Sequence, residues 1–171
     1  KCTLVRAGKK KAPAGKAAGQ TLRYSFDSII GDSDCMKKLK ELGRDVAQAG
    51  SNVLITGESG TGKELFAQSI HAASKKSDGP FVPVNCAAIP SELMNSELFG
   101  YENGAFTGAQ KGGYAGKFEQ ANNGTIFLDE IAELPLSMQG ALLRILEDGV
   151  VSRLGGSRYI PLDVRIVAAT N

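Results

Sequence analysis

The sequence predicts an α/β fold, a three-layer sandwich in which a parallel sheet is covered by helices on both faces. Three observations predict it. Short apolar runs rich in β-branched residues alternate with segments whose apolar residues recur at helical spacing. A glycine-rich stretch, Gly57 to Gly62, joins the first run to a helix-forming segment. A later run ends in two adjacent carboxylates, Asp129 and Glu130.

The elements follow in order. From Ser33 to Gly50, Met36, Leu39, Leu42 and Val46 recur at the spacing of one helical face, which predicts a helix buried along that stripe. Asn52 to Thr56 predicts the first strand, and Lys63 to Ala73 has the composition of a second helix. Phe81–Asn85, Thr125–Asp129 and Val164–Thr170 predict three further strands. Between the last two, Ser137 to Asp148 predicts a helix with Met138, Leu142, Ile145 and Leu146 facing inward, stopped by Gly149. Strands alternating with helices run parallel, so their carboxyl ends form one rim, where ligands bind in such sheets.

Bulk properties narrow the class. A chain of 171 residues with 42% apolar content suffices for one hydrophobic core. The chain begins at Lys1 and has no signal-peptide core, which is read as a piece of a longer cytoplasmic protein, and no apolar run approaches the roughly 20 residues that cross a membrane. Cys2, Cys35 and Cys86 are widely spaced and match neither a disulfide framework nor a zinc site, which suggests a reducing compartment. The net charge of +2 is uneven: residues 1–24 hold seven of the 20 basic side chains and no acid, leaving 13 basic against 18 acidic in the rest. Residues 1–23 read as a basic, flexible linker, and residues 24–171 as a core too acidic to grip nucleic acid by charge.

Gly57-Glu58-Ser59-Gly60-Thr61-Gly62-Lys63 has the spacing of the Walker A phosphate loop and lies between strand and helix, as that loop must. Glycines let successive backbone N–H groups turn toward phosphate, the helix N-terminus adds positive potential, and Lys63 reaches the outer phosphates. Glu64 stands where a Ser or Thr hydroxyl usually meets magnesium; its carboxylate could reach the metal through water or point elsewhere. Thr125 to Glu130 has the Walker B pattern, with Asp129 suited to hold magnesium and Glu130 to orient or deprotonate an attacking water. Asn85 and Asn171 end the second and fourth strands, so both amides reach the same rim; either is a turn residue or a contact to water or phosphate. His71 and Cys86 have no partner residues in sequence that would make them chemical, and read as core.

Gly104-Ala105-Phe106-Thr107-Gly108-Ala109 reads GAFTGA. With Ser96-Glu97-Leu98-Phe99-Gly100 and the variant phosphate loop GESGTGKE, it resembles the AAA+ central domain of sigma-54-dependent transcriptional activators, from about Tyr24 to Asn171. The resemblance makes Glu64 an expected residue. It implies ATP and magnesium as ligands, with Ile30, Gly31 and Leu65 joining Gly57 to Glu64 around the nucleotide. It further implies that Asn85 restrains Glu130 and that Asn171 acts as a sensor. The GAFTGA segment would contact sigma-54 and RNA polymerase holoenzyme, accompanied by a second loop at Arg153, Leu154, Gly155 and Gly156.

The resemblance also implies assembly into a hexameric or heptameric ring. A fifth strand, arginine fingers and a helical lid would follow Asn171, with a regulatory domain before this segment and a DNA-binding helix pair after it. Alone, this chain would be a weak ATPase. The remaining alternatives are an AAA+ remodeller of another branch, or a nucleotide-dependent interaction fragment.

Overall fold

The computed structural model describes residues 24–108 and 110–171; the basic stretch 1–23 and Ala109 lie outside the described residues. Helix α1 (Asp34–Ala49) begins where the Ser33 hydroxyl accepts from Met36 N–H and ends at Gly50, whose φ of 74° is a left-handed stop. Strand β1 (Val53–Thr56) leads into helix α2 (Lys63–Ala72), and β2 (Phe81–Asn85) into helix α3 (Ser91–Phe99). A two-stranded antiparallel hairpin, β3 (Gly100–Tyr101) with β4 (Tyr114–Ala115), brackets residues 102–113. Helix α4 (Lys117–Gln120), strand β5 (Thr125–Asp129) and helix α5 (Leu136–Asp148) follow. A second hairpin, β6 (Val150–Ser152) with β7 (Tyr159–Pro161), precedes the last strand β8 (Arg165–Thr170).

The main sheet is parallel and ordered β1-β8-β5-β2. Its centre is β5, an apolar run whose first four residues are all buried. Pro83 is tolerated in β2 because that strand has a neighbour on one side only. Side chains alternate across the strands as the period of two requires. Val84, Ile126, Leu128 and Ile166 join the cluster built with α3, α4 and α5. Phe81, Phe127, Val167 and Ala169 join the opposite cluster, built with Phe66, Ala67 and Ile70 of α2 and Met36 and Ala47 of α1. Phe127 is 2% exposed, and truncating a ring so buried costs about 3–5 kcal/mol.

Two predicted faces differ from what is observed. On α1, Met36 is buried, but Leu39 and Leu42 are 39% and 58% exposed. They flank the free side of β1, where Leu54 is also 61% exposed, so nothing among the described residues covers that stripe. On α5, Met138 and Ile145 are buried as expected, whereas Leu146 is 43% exposed.

Buried polar groups are supported from neighbouring elements. The Arg165 guanidinium, 2% exposed, donates to the carbonyls of Val46, Ala47 and Ser51 and so ties the end of α1 to the sheet. His71 is fully buried, with Nδ1 2.8 Å from Thr125 Oγ1 and its ring 5.3 Å from that of Phe81. Burial, and secondarily the nearby Arg165 charge, lower its pKa to about 4, so the ring is neutral. Cys86 is a buried free thiol, raised to about 11 first by burial and then by Asp129. Cys35 is disulfide-bonded, against the sequence expectation of reduced cysteines.

Candidate functional site

The carboxyl ends of the four parallel strands meet along one rim. Asn85 and Asp129 are register partners there, as are Thr56 and Thr170, and Gly57 N–H donates to the Thr170 carbonyl at 3.2 Å. This bond places the start of the phosphate loop beside the end of β8, and therefore beside Asn171.

The loop itself turns through residues 57–62, with Gly60 at φ 77° and Gly62 at φ 90°, conformations that side chains resist. Gly62 caps α2 and provides no side-chain hydrogen bond. The first-turn N–H groups of α2 therefore have neither an intrahelical partner nor a side-chain cap, which is the arrangement that receives an anion. Thr61 Oγ1 donates to the Glu58 carbonyl at 2.7 Å and closes the turn.

Lys63, only 9% exposed, crosses the mouth of this loop. Its ammonium donates to the Gly57 carbonyl at 2.8 Å, the Glu58 carbonyl at 3.4 Å and Asn171 Oδ1 at 3.2 Å. Glu130 Oε1 stands 3.7 Å away as an ion pair. Glu130 adopts φ 51° and ψ 52°, a left-handed conformation rare for a side-chain-bearing residue. Its N–H donates to Asp129 Oδ1 at 3.1 Å. Strain of this kind, roughly 1–3 kcal/mol, persists where the surroundings enforce it, and commonly at functional sites.

The remaining predicted residues divide. Asn85 Oδ1 accepts from Ala87 and Ala88 N–H at 3.0 and 3.2 Å, capping a short 3-10 helix, Cys86–Ala88. Glu130, the carboxylate that the resemblance assigns to Asn85, forms an ion pair with Lys63. Glu64 is exposed and accepts from Gln68 Nε2 at 3.1 Å one turn along α2. Ser59 lies exposed in the loop, and Leu65 packs against the α1–α2 cluster. Ile30 is 49% exposed while its neighbour Ile29 is buried. Lys40 donates to the carbonyls of Ile29 and Gly31, fixing that segment against α1. A groove of about 480 Å³ runs from Gly57, Glu58, Thr61 and Lys63 to Leu42 and Leu54.

Among the described residues Asp129 forms no ion pair, and no group of three or more His, Cys, Asp or Glu lies near enough to hold a metal. That donor set suits magnesium, which usually takes one or two protein carboxylates and completes its shell with phosphate and water.

The loop residues Gly104 to Gly108 sit at the tip of the β3–β4 hairpin. Thr107 is exposed and Phe106 is 46% exposed. The second loop grips the base of the first. Leu154 N–H donates to the Gly100 carbonyl, and Glu102 N–H to the Leu154 carbonyl, at 3.0 and 2.9 Å. A Cβ on Gly155 would lie 3.0 Å from that of Ala105, so the two loops touch where Gly155 stands. Gly156 packs beside Glu102 in the same way.

Arg153 forms a bidentate pair with Glu119 of α4, both bonds 2.7 Å, and approaches Glu102 at 3.7 Å. The Glu119 pair holds its guanidinium more firmly charged than usual. Sequence reasoning named Arg153 but not Glu102, Glu119 or Tyr101.

A family model for the Sigma-54 interaction domain matches residues 29–171, a span containing the phosphate loop, the carboxylate pair and both hairpins. The chain belongs to the sigma-54 interaction domain family. The solved structure of NtrX from Brucella abortus in complex with ATP matches it with a TM-score of 0.76 at 40% identity, over 87% of this chain and 31% of that one. The sheet and its helices have the AAA+ fold.

Among relatives of this sigma-54 interaction domain, the Signal-transduction and transcriptional-control protein of Clostridium beijerinckii is 58% identical over 156 residues, 91% of this chain and 25% of its own length. The DNA-binding transcriptional activator HyfR of Escherichia coli (strain K12) is 53% identical over 143 residues, 84% of this chain and 21% of its own. The domain thus spans about a quarter of the length of these curated relatives.

Proposed function

We propose that this domain binds and hydrolyses ATP and that, in the longer protein, hydrolysis drives remodelling of the sigma-54 RNA polymerase complex through the Gly104–Ala109 loop. The observation that carries the reading is the convergence of Lys63, Glu130 and Asn171 at the open N-terminus of α2. A cation, a base and a polar sensor are thereby gathered where the outer phosphates of a nucleotide would lie.

In this reading the loop N–H groups and Lys63 bind the phosphates and offset charge as the γ-phosphoryl group transfers. Asp129 would hold magnesium, which supplies further neutralisation of phosphate charge when bound. Glu130 leaves Lys63 and accepts the proton of the attacking water. Asn171, already bonded to Lys63, senses whether a γ-phosphate has taken its place. Asn85, next to Asp129 on the rim, is close enough in register to take part once Glu130 turns. Ile30, Gly31 and Leu65 would border the base and sugar.

The exposed Phe106 and Thr107 suit a partner contact. The Arg153–Glu102 ion pair and the Leu154 backbone bonds to Gly100 and Glu102 join the two loops, while Arg153 is anchored to Glu119 of α4. The partner assignment is supported by the family match and by relatives described as transcriptional activators. Assembly of copies into a ring, with arginines of one protomer completing the site of the next, belongs to the same proposal, as does a cytoplasmic location. Among the described residues no helix is long and apolar enough to cross a membrane.

The test is paired assays on the full-length protein: ATP turnover, and binding to sigma-54 with ADP–aluminium fluoride. The reading expects both. Turnover without mimic-dependent sigma-54 binding would favour a remodeller of another branch, and sigma-54 binding without turnover a nucleotide-dependent interaction module.

A further inference from the structure

Phe106 does not project freely from its loop. Its ring meets the edge of Tyr101 with centroids 5.0 Å apart and planes at 64°, and Tyr101 in turn stacks on Tyr114 at 5.7 Å and 25°. Tyr101 is a fixed platform. It lies in β3, is 9% exposed, pairs with Tyr114 across the hairpin and bridges to Leu154 of the second loop. Tyr114 is held from outside by Gln120, whose Nε2 donates to its hydroxyl at 3.2 Å.

The segment carrying Phe106 is built to swing. Gly104 and Gly108 flank it at φ 78° and 97°, and a Cβ on either would meet nothing within 4 Å. One aromatic ring is therefore docked on a rigid ladder through two unobstructed turns. An edge-to-face contact of this type biases a docked state by only about 2- to 10-fold. That suffices to set a resting position without preventing release.

We propose that Tyr101 is a positioning residue that holds Phe106 folded against the hairpin base, so that engagement of sigma-54 requires Phe106 to leave the Tyr101 ring. The inference rests on the reading of residues 104–109 as the partner loop, and adds to it a latch outside the nucleotide site. Loop extension is then opposed by a defined contact, which phosphate-driven movement of the two joined loops must break.

The latch is tested first without any partner. Because this chain contains no tryptophan, Phe106→Trp gives a single reporter at the tip. Acrylamide quenching of that reporter should rise on adding Tyr101→Leu, by about twofold at most, since Phe106 is already 46% exposed. Tyr101→Phe should leave quenching unchanged. In the unsubstituted chain, a nuclear Overhauser contact between the Phe106 and Tyr101 rings is expected; its absence overturns the latch, and this measurement stands even if Tyr101→Leu fails to fold.

In the full-length protein, Tyr101→Leu should raise sigma-54 binding without nucleotide by about 2- to 10-fold while ATP turnover is unchanged. Unaltered quenching, or unaltered nucleotide-free binding beside normal mimic-dependent binding, would overturn the latch and leave the partner reading intact. Loss of mimic-dependent binding by the unsubstituted protein would instead overturn that reading.

Discussion

Lys63 Nζ and Glu130 Oε1 lie 3.7 Å apart, which pairs the cation proposed to bind phosphate with the carboxylate proposed to activate water. The same ammonium donates to Asn171. A γ-phosphate would compete with both groups for Lys63, so binding and arming of the base become one event. This coupling follows from the meeting of three strand ends and one helix N-terminus, and it can be tested at each residue.

Lys63→Ala should abolish detectable ATP-analogue binding by calorimetry, because it removes the ammonium that bonds the Gly57 carbonyl and Asn171 at the mouth of the loop. Retained affinity at the wild-type level would remove residues 57–64 as the phosphate site.

Glu130→Gln in the full-length protein should retain nucleotide affinity and lose turnover, since an amide cannot accept the proton of water. Hydrolysis near the wild-type rate would exclude Glu130 as the base. Glu130→Gly makes a separate forecast from the backbone. At φ 51° the substitution relieves left-handed strain and should stabilise the fold by roughly 1 kcal/mol in urea unfolding while abolishing turnover. A destabilised Glu130→Gly chain would mean that the carboxylate, rather than the backbone, dominates the local energetics.

The pH dependence of stability should carry a signature of His71. Its pKa is about 4 when folded, below the ordinary 6.5, so the unfolded chain binds the proton first as acid is added. The stabilisation is complete above about pH 6.5 and is lost as pH falls toward 4, at no more than ~1.4 kcal/mol per pH unit. Urea unfolding of wild type and His71→Leu across that window isolates the effect from the carboxylates. Parallel curves for the two proteins would show that His71 does not titrate between the folded and unfolded states.

Much of this was legible in the sequence. The four main strands end where their terminal polar residues are, because a buried parallel strand is an unbroken apolar run and its boundary is chemical. The phosphate loop and the carboxylate pair are contiguous in sequence, so their spacing is visible directly. Helix faces were read less well. Periodicity shows that Leu39, Leu42 and Met36 share a stripe, but not how far a neighbour covers it, and Leu39 and Leu42 are exposed.

Relations between distant segments were not legible at all. Arg153 and Glu119 are 34 positions apart, and a salt bridge between two short surface elements leaves no periodic trace. The ladder of Tyr114, Tyr101 and Phe106 depends on the hairpin register, which follows from a glycine-rich segment with little pattern of its own. The approach of Glu130 to Lys63 likewise involves one left-handed residue that the sequence does not announce.

In the proposed function, chemistry at Lys63 and Glu130 is converted into work at a loop outside the nucleotide site. The most direct measurement compares ATP turnover with sigma-54 binding, in the presence of ADP–aluminium fluoride, for Thr107→Ala and Phe106→Ala in the full-length protein. Turnover should remain largely intact, while sigma-54 binding and open-complex formation are lost. Unchanged sigma-54 binding and transcription in both variants would contradict it, and equal loss of ATP turnover would make the segment part of the folded core.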